Sequence, residues 1–182
     1  MVSNLNADSA HSTRSDFKPI PQPVSIFDAA SYILENSPWT ITQLELQKLL
    51  YLAQMIHLGE YGSPIVAARF EAWEYGPVNR ALYNETKKYG TDVLVSSSIP
   101  GNPQAIVART HKEVLDYVID RLSKMTAAEL IQITHLEDGA WHKTFNPLYR
   151  SRDIPDRLIK AEYTARLRQA HNISEHTDHE PD

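Results

Sequence analysis

The stretch TQLELQKLLYLAQMIHLGEYG, residues 42–62, decides the fold. Thr42 and Glu45 stand at capping-box spacing, where a hydroxyl accepts from the third helical N–H and a carboxylate reaches back to the cap. Leu46, Leu49, Leu50, Ala53 and Ile56 then recur at helical spacing. Leu44, Tyr51, Met55 and Leu58 form a second stripe on another side of the same helix. A helix that is apolar on two sides is packed by several neighbours. The spacing therefore predicts a central helix from about Thr42 to Tyr61, stopped by Gly62 and Pro64.

Outward from that centre the helical period continues. Ser25 is an N-cap for a stripe of Ile26, Phe27, Ala30, Ile33 and Leu34, with Asp28 three residues on. Pro77 is read as the first residue of a third helix, running through Leu82 and Tyr83 to Tyr89 and ended by Gly90. Residues 91–107, rich in Ser, Pro and Gly, read as an irregular connection. Thr110 with Glu113 and Thr126 with Glu129 are two more capping boxes. The first opens a helix carrying Val114, Leu115, Val118, Ile119, Leu122 and Met125; the second leads into Leu130, Ile131 and Thr134. Asp138 and Gly139 mark a turn, Ala140 to Phe145 can add one helical turn, and Pro155 starts the last helix. Strand-like material is limited to Arg69–Trp73 and Asp92–Val95. The expected fold is mainly α, a compact helical bundle with at most a short two-stranded β ribbon. Residues 1–23 read as a disordered leader, 24–170 as the helical domain and 171–182 as a disordered polar tail.

A chain of 182 residues and 20.7 kDa is one domain with tails. A core of roughly 150 residues buries about 70% of the surface of its unfolded chain, so no staple is required. With no cysteine, disulfides, thiolate zinc sites and a cysteine nucleophile are excluded, which fits a cytoplasmic setting. Met1 to Ala10 lacks the basic and apolar regions of a secretory signal. No apolar run approaches the roughly 20 residues that span a bilayer, so no membrane role is expected. A net charge of −5 argues against nucleic acid as a partner. The basic run Arg150, Arg152, Arg157, Lys160, Arg166 and Arg168 is interrupted by Asp153, Asp156 and Glu162, and reads first as a solvated helix face.

Catalytic signatures are lacking: there is no G-x-S-x-G elbow, Walker loop or H-E-x-x-H. His57, His135, His142 and Glu71 are a candidate metal set, with no spacing motif behind them. The commoner alternative is polar groups satisfied at helix ends. Glu71 and Glu74 are carboxylates three apart, but no nucleophile, base and orienting group can be named together, and the chain is not expected to be an enzyme. More informative is Phe70 to Val78, which holds three aromatics and a Gly–Pro break within nine residues. Trp73 and Tyr75 offer large rigid area with a polar handle each, suited to a partner surface or to plugging the bundle.

Leu46, Gln47, Lys48, Leu49, Leu50, Tyr51, Leu52, Ala53 and Gln54, followed by His57 and Leu58, resemble the LQKLLYFAQ…HL signature of the SocA-like, phage-associated Panacea domain family. Glu71, Ala72, Trp73, Glu74, Tyr75, Gly76, Pro77 and Val78 resemble its EAWKYGPV string, with Tyr89 and Gly90 fitting the YG that follows. Thr134, His135, Glu137 and Trp141 resemble its late TH.E…W. Order and spacing agree from about Ile26 to Trp141. Glu45 and Glu74 depart from the lysines usual at those places.

The resemblance implies an antitoxin, encoded beside a cognate protein toxin and neutralising it by direct binding, without catalytic residue, metal or cofactor. One member of the family is also a proteolytic adaptor that hands its toxin to the ClpXP protease, so delivery to a Clp-type protease is the first alternative. A metal-dependent enzyme acting through His57, His135 and His142 is the second. The expected toxin-binding surface comprises Trp73, Tyr75, Arg80 and Tyr83, with Tyr51 beside them.

Overall fold

The computed structural model describes residues 21–149 and 151–177; most of the expected leader and the last five residues of the tail lie outside them. Helix α1 (Ile26–Asn36) is capped by Ser25, whose side chain accepts from the Phe27 N–H. A two-residue strand β1 (Ile41–Thr42) leads into α2 (Gln43–Tyr61), where the Thr42–Glu45 capping box forms in both directions and Gly62 closes the helix at φ 72°. Residues 46–55 of α2 are buried on every side, as its two stripes require. It packs against α1, α3 (Arg80–Thr86), α4 (Arg109–Leu122), α5 (Ala127–Thr134) and α7 (Asp156–Thr177). One hydrophobic cluster, from Ile26 to Ile159, fills the space between them.

The mainly helical expectation holds, but the β structure exceeds a two-stranded ribbon. Strand β2 (Phe70–Trp73) pairs antiparallel with β3 (Gly76–Val78) on one side and with β5 (Arg152–Ile154) on the other. The second strand-like segment contributes β4 (Val93–Leu94), which pairs with β1, Ile41 opposite Leu94. Strands β4 and β5 find partners far away in the sequence and are two or three residues long, too short to show an alternation.

Pro77 does not open a helix. It lies in β3 opposite Ala72, on the edge of the sheet, where a residue without an N–H is tolerated. The N-cap of α3 is Asn79, whose side-chain oxygen accepts from the Leu82 N–H at 2.9 Å. The Thr110–Glu113 box is also replaced: α4 begins at Arg109, and the Glu113 carboxylate is taken by Arg109 at 2.6 Å and by the Tyr61 hydroxyl at 3.0 Å. The Thr126–Glu129 box forms as read. Asp138, at φ 64°, turns the chain into α6 (Ala140–Thr144). The final helix α7 runs to Thr177, past the boundary at 171 drawn from composition. Among the described residues no helix is long and apolar enough to cross a membrane.

Candidate functional site

The two longest family strings meet in space. On α2, Gln47 is buried and forms a reciprocal pair with the backbone of Asn79, accepting from its N–H at 2.8 Å and donating to its carbonyl at 3.2 Å. This is how one strand would pair with another, and it fixes the cap of α3. The neighbouring Lys48 is fully buried and donates from Nζ to the Pro77 carbonyl at 2.8 Å. Gly76, at φ 97°, has no room for a side chain: a Cβ there would lie 2.9 Å from both Cε and Nζ of Lys48 and 3.1 Å from Nε2 of His135. Burial lowers the Lys48 ammonium to about 7. Burial, reinforced by Lys48, lowers His135 to about 4, so its imidazole is neutral near pH 7.

The β2–β3 turn, Glu74 and Tyr75, stands above this packing, held by aromatic contacts from two directions. His135 stacks on Trp141 at 3.6 Å with 8° between the planes, and Trp141 stacks on Phe145 at 4.8 Å and 16°. The Trp141 indole N–H donates to the Trp73 carbonyl at 2.8 Å. Trp73 itself is half-buried, meets Tyr83 edge-on at 4.9 Å, and donates from its indole to Glu71 at 2.8 Å. Glu71 also receives a two-pronged bond from Arg80, whose guanidinium lies 5.4 Å above the Trp73 ring. Tyr75 is 63% exposed.

Together these residues line an open cleft of about 920 Å³ between the start of α2, the β2–β3 turn, α3 and the segment after α6. That volume lies at the upper end of ordinary ligand pockets. Four of the five expected surface residues, Trp73, Tyr75, Arg80 and Tyr83, share its wall. The fifth is corrected. Tyr51 is fully buried, edge-on to Phe70 at 5.5 Å, and its hydroxyl donates to Glu162 at 3.0 Å, so it cannot meet a partner. Leu46, Leu49 and Leu50 are core, Thr134 bonds back to the Leu130 carbonyl, and Val78 lines the cleft floor.

The metal set does not assemble. His57 bonds to the Ser63 carbonyl and Thr110 on the far side of α2, where its ring lies 4.9 Å from that of His111. His135 is in the cleft, and His142 is exposed on α6. Among the described residues no group of three His, Cys, Asp or Glu could hold a metal ion.

Sequence reading missed Phe145, Asn146 and Pro147, which complete the cleft. Phe145 was signalled by its spacing of four from Trp141, across one turn to the C-cap of α6. Glu162 was missed too. Its buried carboxylate accepts from Tyr51 and from the Ala140 N–H at 2.8 Å, and pairs with Arg166. Arg166 also donates to the Ile133 carbonyl at 2.6 Å, so this member of the basic run is structural.

With this geometry in view, the class can be stated: residues 46–142 match the family model described as antitoxin SocA-like, Panacea domain, and the chain belongs to that family. Among curated proteins it resembles the protein named antitoxin SocA from Caulobacter vibrioides (strain NA1000 / CB15N), with 30% identity over 132 residues, covering 66% of this chain and 70% of the relative. No solved structure matches it.

Proposed function

We propose that this chain is an antitoxin that neutralises a protein toxin by binding it, with the aromatic cleft beside the β2–β3 turn as the contact surface. Membership of a family named for an antitoxin supports the role, as does the name of the relative. The observation that carries the binding reading is the placement of Trp73, Tyr75, Arg80 and Tyr83 on one wall. Rigid aromatics and arginine dominate the energetics of protein interfaces. The buried pairs Gln47–Asn79 and Lys48–Pro77 hold that wall in one shape before a partner arrives, and such preorganisation lowers the cost of association.

The toxin is sought in the reading frame next to this one. The test is co-expression in cells lacking Clp proteases, so that growth reports occlusion rather than delivery for degradation. Rescue by the wild-type chain, and loss of rescue when Tyr75 and Tyr83 are both changed to Ala, is the expected result. Full rescue by the double variant would place the contact surface elsewhere; rescue confined to cells with Clp proteases would replace occlusion by delivery.

A further inference from the structure

We propose that the cleft seats a cationic side chain, an arginine, presented by an extended basic segment of the protein partner. The inference rests on the reading of the cleft as a protein-binding surface and assigns the chemistry that surface selects.

Glu74 sits at the tip of the β2–β3 turn, exposed, in the wall of the cleft. Among the described residues its carboxylate has neither ion pair nor hydrogen bond. The guanidinium in the wall, Arg80, is already committed to Glu71. His135 is neutral near pH 7, and Lys48 beneath the turn is buried, its ammonium engaged by the Pro77 carbonyl and lowered by burial. Among the described residues the wall thus presents to an arriving partner the unpaired Glu74 carboxylate among Tyr75, Tyr83, Trp73 and Phe145.

A carboxylate beside aromatic faces is the combination that receives a planar cation, because the ring quadrupole and the carboxylate act in the same direction. The protein already contains one such assembly within itself: Arg80 forks onto Glu71 and lies over Trp73. Glu74 and Tyr75 in the same wall supply the same ingredients, without a guanidinium paired to Glu74 among the described residues. An acidic or phosphorylated segment would meet Glu74, while Arg80, the one guanidinium in the wall among the described residues, is engaged by Glu71. The cleft is open and large enough for a guanidinium together with flanking residues of an extended chain. The net charge of −5 steers a basic segment toward the protein.

The test uses the purified full-length chain and N-acetyl-arginine methylamide. The three tryptophans give three indole N–H signals in NMR; the one lost in Trp39→Phe reports a site away from the cleft, and the other two report Trp73 and Trp141. The arginine compound is expected to shift the Trp73 and Trp141 signals saturably and leave Trp39 in place. The neutral citrulline isostere is expected to do neither, and Glu74→Gln to weaken binding by about 3- to 10-fold. Equal shifts with the citrulline or glutamate compound, an unchanged affinity in Glu74→Gln, or tighter binding of tetramethylammonium than of the arginine compound would each overturn the proposal. No toxin is needed for this measurement. Failure here with rescue intact removes only the arginine; a bound arginine without rescue removes the antitoxin reading.

Discussion

The indole N–H of Trp141 donates to the main-chain carbonyl of Trp73 across 68 residues of sequence, at 2.8 Å. Two strings read separately as family marks are thus one structural unit: α6 is tied to the end of β2, and the cleft lies along the seam. Trp141→Phe keeps the stack on His135 and Phe145 but leaves the Trp73 carbonyl without this donor. A loss of about 0.5–1.5 kcal/mol is expected, the net contribution of one part-buried hydrogen bond. Urea unfolding measures it, and an unchanged midpoint would show that the bond contributes nothing to the seam.

Gly76 is the residue on which the turn depends. Its φ of 97° disfavours any side chain, and the space is occupied by Lys48 and His135. Gly76→Ala should cost about 1–3 kcal/mol in stability, as expected for a strained backbone position. Gly90→Ala provides the contrast, since φ is also positive there but nothing lies within 4 Å of the added carbon. The second variant should therefore be the milder; equal losses would mean that crowding at Gly76 is unimportant.

Lys48 makes stability depend on pH in an unusual direction. Its ammonium titrates at about 7 in the fold, against 10.5 in an open chain. Between those values the unfolded chain holds more protons than the native one, so the contribution of Lys48 to stability rises with pH across that window. Lys48→Met removes the titration while keeping an unbranched stem. The stability of the natural chain relative to this variant should increase from pH 7 to 9.5, as followed by urea midpoints. A difference that is flat or falls over that range contradicts the buried charge.

Acid should act on both sides of α2, because His135 in the cleft is lowered to about 4 and two histidines on the far side are lowered as well. Burial lowers His57 below the ordinary histidine value, against the raising effect of its bond to Ser63. His111 is lowered by burial and then by His57. An open chain binds protons at these sites first, so stability falls as pH drops below about 6.5. His111→Leu should flatten that fall, because neither ring nitrogen of His111 has a hydrogen-bond partner among the described residues and little is lost by removing them. Parallel curves for the two proteins would exclude His111 as a source of the acid sensitivity.

How far the sequence carried this reading follows from the range of the forces involved. Helix α2 was legible to within a residue because its signals are local: a capping box, two apolar stripes and a terminal glycine. The Thr126–Glu129 start of α5 was legible for the same reason. Pro77 misled because a proline suits both the first turn of a helix and an edge strand. The choice is made from 29 residues away, where Lys48 takes its carbonyl. Strand β5 and the Glu162 cap on α6 likewise exist through partners that no local pattern announces. On the cleft wall Trp73, Tyr75, Arg80 and Tyr83 could be grouped from sequence because they crowd into eleven residues. Tyr51 could not be excluded, since a tyrosine on a two-sided helix looks the same whether its hydroxyl meets water or Glu162.

The claim on which the rest depends is that the cleft wall grips a protein toxin. Its most direct measurement is the affinity of the purified product of the adjacent reading frame for this chain, by calorimetry, beside Tyr75→Ala and Tyr83→Ala variants of unchanged thermal stability. A saturable complex weakened at least about tenfold by each variant, as for a buried aromatic anchor, is the result expected. No complex, or one of the same affinity in all three proteins, would contradict it.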